Sequence, residues 1–352
     1  DLAGNPFAGA ASLDIAPVDP SRANVRWSTF LGLPGYGDVY GVDASIEGSV
    51  YVVGAVTGAM DGEAGFGNQD IFVGKIDSAG SRVWTSLTGS NSSDRGKAIK
   101  LGTDGSIYVV GSTEGSFAVQ SNNGKLDAVL IKYSQDGTKV WQKLLGSTED
   151  DSALALSLGP EGSIYVAGYT SGSFDGQTNA GGSLAALFNS RDAFLTKFSP
   201  DGTKIWTRFV GSSNIEDAYA LSTGKDGSIY KAGNAFGSFD GQINRGGADT
   251  FITRFSPTGV KDWTRFLGGE NGDLAKALVT GVDGSIYLTG TTSSTVFDGQ
   301  TGLGGSDIFV SKIDVNGARL WTRLIGSQQN YYVSALIIGT DGAMYFAGIT
   351  SG

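Results

Sequence analysis

The chain has 352 residues, of which 25 are basic and 35 acidic, giving a formal net charge of −10. It contains no Cys and no His, which removes disulfides, zinc sites, thiol nucleophiles and Ser-His-Asp triads from consideration. No Lys/Arg cluster supplies the basic footprint that nucleic-acid binding needs, and no apolar run approaches the ~18–20 residues of a membrane span, so neither partner is expected.

In chain order, residues 1–12 read as a loose tail, with no signal peptide before Asp1; the sequence reads as a mature form or an excised piece. Leu13–Asp19 and Val25–Gly32 then look like the second half of a unit whose first half is missing. From there one short pattern recurs: an acidic residue, Gly, a small residue, an aliphatic residue and Tyr. It stands at Glu47–Tyr51, Asp104–Tyr108, Glu161–Tyr165, Asp226–Tyr230, Asp283–Tyr287 and Asp341–Tyr345. Its glycines are spaced by 57, 57, 65, 57 and 58 residues, and the six tryptophans (27, 84, 141, 206, 263, 321) repeat those steps. A long fixed period of this kind marks a repeat architecture. The chain ends at Ala347–Gly352, where a unit has delivered only its first half.

The fourth copy shows a full unit. Asp217–Thr223, rich in small residues, is a first strand, and Lys225-Asp-Gly-Ser is a tight turn. Ser228–Ala235 is a second strand, Phe236–Ala248 a Gly-rich loop, Asp249–Phe255 a third strand, and Val260–Leu267, carrying Trp263, a fourth. Nothing in it has helical period. Four-stranded antiparallel sheets that bury their faces by stacking, with half a unit at each terminus, predict an all-β, six-bladed β-propeller closed by shared N- and C-terminal strands. The blades are expected at 33–89, 90–146, 147–211, 212–268, 269–326, and 327–352 completed by 13–32, as one domain. Small inner-strand residues fit blades that converge on an axis. The Trp residues are read as packing between blades rather than as a sugar or cofactor platform.

The units resemble the SBBP type of bacterial β-propeller repeat, through Ser163–Gly168, Asp192–Lys197 and Trp206–Gly211 and their parallels over about 13–352. The resemblance implies a secreted or cell-surface bacterial-type protein and no common catalytic motif.

Two loop sets are expected on one face, where binding usually resides. There Asp38, Asp94, Asp151, Asp217 and Asp273 suggest an acidic ring at a channel mouth, able to hold a cation or a polyhydroxylated ligand or to cap strand starts. Tyr331 and Tyr332 replace the sixth member and, with Tyr36 and Arg95, mark an irregular sector for a ligand. The insert Leu184–Phe188 offers a lid or a partner contact. Asp175, Asp240 and Asp298, in Phe-Asp-Gly-Gln loops, with Met60–Glu63 a near copy, are the candidate Ca²⁺ ligands. Asp70, Asp127, Asp192, Asp249 and Asp307, each followed five residues on by Lys or Arg, read as scaffold. The leading functional expectation is a monomeric, non-enzymatic extracellular module that binds a protein or glycan. The alternatives are a carboxylate- and calcium-dependent hydrolase (phosphatase or glycosidase) and a quinone-binding propeller.

Overall fold

The computed structural model describes residues 37–117, 120–181, 190–339 and 342–351. The segments 1–36 and 182–189, and with them the closing strands expected at 13–32, Tyr36 and Leu184–Phe188, lie outside the described residues.

Within them the chain is all-β. Five antiparallel four-stranded sheets follow one another, each in simple sequential order. The first comprises Gly37–Ala44, Val50–Val56, Asp70–Ile76 and Arg82–Thr88. The fourth comprises Glu216–Thr223, Ile229–Ala235, Asp249–Phe255 and Lys261–Leu267. The expected sixth blade is here a two-stranded sheet, Asn330–Ile338 with Met344–Ser351. A seventh sheet, not expected, is a two-residue hairpin, Val296–Phe297 with Gln300–Thr301, in the long loop of the fifth. None of the sheets closes on itself.

The core lies between sheets. Third-sheet Tyr165, Leu195 and Val210 pack with fourth-sheet Leu221, Ile229 and Phe251 in one buried cluster, and comparable clusters join the other successive pairs. First strands of successive sheets lie beside one another, which is the arrangement of blades in a β-propeller. Close approach explains the small residues: Ala153, Ala218 and Ala275 in first strands are fully buried. Each first strand also carries a bulge, as between Ala218 and Ala220. Opposite that bulge, a Cβ on Gly233 would collide with the Asp217 carbonyl, and Gly168 meets Ser152 in the same way.

Tryptophan fastens neighbours at the outer edge. Trp206 lies against Gly259 in the next sheet's outer turn, where a Cβ would come within 2.9 Å of the indole, and its other side meets Tyr165 at 6.1 Å. Gly259 has φ +81°, so both its conformation and its contact require glycine. Trp263 repeats the contact and donates its indole N–H to the Val315 carbonyl at 3.1 Å.

The two ends of the array differ from its middle. At equivalent register, Val42 of the first sheet is 62% exposed whereas Ile99 of the second is 2% exposed. Ile337 and Ile349 of the last sheet are also exposed, at 60% and 69%.

Candidate functional site

The five aspartates expected to form one ring occupy two registers. Asp94, Asp151 and Asp273 pair with Thr113, Thr170 and Thr292, and in the fourth sheet that place belongs to Glu216, paired with Ala235. Asp38 and Asp217 stand one residue further along. Successive strand residues point to opposite faces, so these two are set apart from the others. The offset is present in the spacing: these aspartates step by 56, 57, 66 and 56 residues where the turn glycines step by 57, 57, 65 and 57.

The acids of the first register cap the loop before them. The Ser90 amide and hydroxyl donate to Asp94 at 2.6 and 2.9 Å; the Ser147 pair donates to Asp151 at 2.7 and 2.9 Å. The Gly269 amide serves Asp273 at 2.7 Å, and the Ser212 hydroxyl serves Glu216 at 2.8 Å. Tyr331 takes the last place, with its hydroxyl 3.2 Å from that of Ser327. The second register holds Asp38, Arg95, Asp217 and Tyr332. There Arg95 donates to Gln69 at 2.8 Å, Tyr219 donates to Asp217 at 3.1 Å, and Arg191 stands 3.7 Å from Asp217.

Asp70, Asp127, Asp192, Asp249 and Asp307, at the starts of third strands, are buried. Each accepts a backbone N–H with one oxygen, from Phe66, Asn123, Ala180, Arg245 and Leu303 at 2.7–2.9 Å. The basic residue five positions on faces elsewhere: Lys75, Lys132, Lys197 and Lys312 lie over the Tyr rings of the second strands. In the first three sheets the glycine after the fourth strand sits between that Asp and the acid of the next sheet; a Cβ on Gly146 would strike Asp127 and come within 2.9 Å of Asp151. Each of these seams thus brings two acids together in a dry place. Burial pushes Asp151, Asp192 and Asp249 up to about 6, and burial with the neighbouring Asp192 charge pushes Glu216 up to about 7.

One seam contains a further charge that the sequence reading missed. Lys231, where other second strands have Val52, Val109, Val166, Leu288 and Phe346, is fully buried and donates to the Ala193 carbonyl at 2.8 Å. Burial pushes its ammonium well down, against the opposing pull of Asp192.

The Phe-Asp-Gly-Gln loops are clamps. Asp61, Asp175, Asp240 and Asp298 have φ between 52° and 58°, the first central position of a tight hairpin turn, with Gly next. One oxygen of each meets a base from the fourth strand: Arg82, Lys204, Lys261 and Arg319 respectively. The other accepts from Thr85, Thr207, Thr264 and Thr322 at 2.5–2.7 Å. Both oxygens of Asp175, Asp240 and Asp298 are therefore engaged by protein groups, so these side chains are occupied where calcium was expected to use them. The signal for this was the Lys/Arg-x-Trp-Thr run of the fourth strand, three residues of which make the clamp and the seam contact.

The second sheet departs from the pattern. It has Phe117-Ala118 in place of Phe-Asp and Gln142 in place of Thr, but keeps the base as Lys139. Lys139 donates to Gln142 Oε1 at 2.9 Å, and among the described residues it makes no ion pair. Burial pushes its ammonium down. Beside it opens a cavity of about 830 Å³, between the first and second sheets, lined by Phe66, Phe117, Gln120, Lys139, Val140, Trp141, Gln142 and Lys143 among others. At the intact clamp of the third sheet the corresponding space is about 450 Å³.

Among the described residues no helix is long and apolar enough to cross a membrane. No known protein-family profile matches the chain. Regulatory protein FlaEY of Caulobacter vibrioides is 25% identical over 261 residues, which is 66% of this chain and 27% of that protein, so the match spans about a quarter of that relative's length. Among solved structures, a glucose dehydrogenase has a TM-score of 0.47 at 10% identity, covering 89% of this chain and 94% of that one. YCF48 bound to a D1 peptide has a TM-score of 0.44 at 12% identity, covering 90% of both chains. A catalytically inactive virginiamycin B lyase from Staphylococcus aureus with quinupristin has a TM-score of 0.41 at 12% identity, covering 91% and 94%.

Proposed function

We propose that the chain is a non-enzymatic binding module whose ligand enters the cavity between the first and second sheets. The observation that carries this reading is a coincidence of position: the clamp that recurs in four sheets is broken in the second, whose base Lys139 lines the 830 Å³ space. Parts that repeat belong to the scaffold, and a site for one ligand has to depart from the repeat. The reading makes no use of the seam acids, which cap loops in like environments. General acid and base work needs unlike ones.

The scaffold in this reading is a six-bladed ring in which 13–32 completes the last sheet and covers the exposed faces at Val42, Ile337 and Ile349. Those unmatched apolar faces support it. Extracellular or cell-surface placement follows from the SBBP resemblance alone and is proposed on that basis. Tyr331 and Tyr332 are assigned to ring closure in preference to recognition, since Tyr331 packs against the cluster of Ile308, Val310 and Val333.

The test is a fragment screen by ¹H–¹⁵N NMR, reading the indole signals of Trp141 and Trp206 as two copies of one structural position. Hits should move Trp141, leave Trp206 in place, and weaken in Phe66→Ala. A hit set that moves the signals of both, or maps to Tyr331 and Tyr332, overturns the assignment.

A further inference from the structure

We infer that the cavity ligand presents a carboxylate, carried on a ring, and that this carboxylate takes the place of the aspartate missing from the second-sheet clamp. The inference rests on the binding reading above and names its ligand class.

The intact clamps define what the site lacks. In four loops a side-chain carboxylate bridges the base that opens the fourth strand and the Thr three residues on. In the second sheet the base remains, as Lys139, and the acid position is Ala118. An ammonium has three donors. Lys139 gives one to the amide oxygen of Gln142, a neutral acceptor, and sits 5.9 Å from the centre of the Phe117 ring. It is the homologous position that differs in its partner, in a chain whose net charge is −10, so the missing counter-charge is local.

The replacement of Thr by Gln142 fits the same conclusion. The Thr hydroxyl reaches an acid built into the adjacent loop; the longer Gln, with an N–H₂ donor beside its carbonyl, can serve a carboxylate held further out. Lys143 lines the same cavity and adds a second positive group. The remaining wall mixes Ser86, Thr88 and Gln120 with the apolar Phe66, Leu87, Phe117, Val140 and Trp141, and of these Phe66 is 57% exposed and Val140 is 55% exposed. They offer a face for a ring, so the ligand combines a carboxylate with a planar or puckered ring body. An aromatic acid and a uronic acid share this chemistry, and the experiment separates them.

The probes are phenylacetate and galacturonate, each beside its neutral counterpart, phenylacetamide and galactose, titrated into the full chain while the Trp141 indole signal is followed. At least one acid should bind about tenfold more tightly than its neutral counterpart, as a charge-assisted hydrogen bond to a partly desolvated ammonium implies. Lys139→Met should erase that preference. Ala118→Asp should abolish binding by supplying the carboxylate from the chain itself, whereas Ala118→Asn should leave binding in place; together they separate charge from bulk. Unchanged folding of each variant is checked by the Trp206 signal. If acid and neutral probes bind equally at Trp141, the carboxylate inference fails and the cavity reading stands. If no probe moves Trp141 at about 10 mM, the weak limit for fragments of this size, both fail.

Discussion

The repeat is broken at two lysines, at Lys231 itself and at the partner of Lys139, and their settings differ. Lys231 replaces an apolar residue inside the third seam, tied to the Ala193 carbonyl with no solvent-exposed surface. Lys139 keeps its repeat position at the outer edge but has lost the acid that its counterparts hold, and it faces open space. The first is an added charge without room for a ligand; the second is a retained charge without its partner and with room for one. Departure from a repeat therefore signals binding only where the packing leaves a cavity.

The largest expected effect tests the array in which both lysines sit. Deleting residues 1–32 should abolish a single cooperative unfolding transition or cause aggregation, through the edge left open on the last sheet, whereas deleting 1–5 should be nearly silent. Thermal unfolding followed by size-exclusion chromatography measures this. A stable monomeric 33–352 fragment would refute shared closure.

Next, Lys231→Met should raise stability by about 1–3 kcal/mol, because a hydrophobe of similar volume avoids the desolvation of an amine. Chemical denaturation at pH 7 reads the change. A loss of similar size would mean that the Lys231 bond to Ala193 outweighs its burial.

The seam acids then predict an unusual pH profile. Asp151, Asp192, Asp249 and Glu216 have folded pKa values raised to about 6, 6, 6 and 7. A group with a raised folded pKa gives the folded state the extra proton, so its stabilisation is complete below the unfolded value and is lost as pH rises through the folded one. The Lys231 amine acts in the reverse sense, its depressed pKa favouring the folded state as pH rises, so the measurement belongs in Lys231→Met. There Tm should fall by about 2–5 °C between pH 5 and pH 8, and Glu216→Gln should flatten the profile. The turn acids Asp104, Asp226 and Asp283, whose values are lowered, act only below about pH 4 and leave this window alone. A Tm that climbs over the same range would show that the seams favour ionised acids.

The smallest effects compare the clamps themselves. Asp240→Ala, which strips partners from Lys261 and Thr264, should cost about 1 kcal/mol. Lys139→Met should change stability by less than about 0.5 kcal/mol, as expected of a base without an acid to lose. Equal costs would show that Lys139 already has a counter-charge.

The strand order, the turns and the run of similar sheets were legible in the sequence, because hairpin turns and period-2 strands are local and each copy corroborates the others. Trp206 as a packing residue was legible for the same reason. Register was not legible from residue type, only from spacing: Asp151 and Glu216 each stand 11 residues before the Gly of their turn and Asp217 stands 10, and pairing with Ala235 and Asn234 bears out that Glu216 holds the seam place. Nor were the clamps, since Asp175 and Lys204 are 29 residues apart and meet only when the loop folds back over the fourth strand. For the same reason the substitution of Ala118 for the loop Asp gains meaning only from what its counterparts hold in the tertiary structure. The sequence by itself determined the repeating sheets, since their hydrogen bonds run between neighbouring segments. Which acids are buried together, which are already neutralised and where a base is left facing a cavity were decided by tertiary structure, because those depend on contacts between separate strands and sheets.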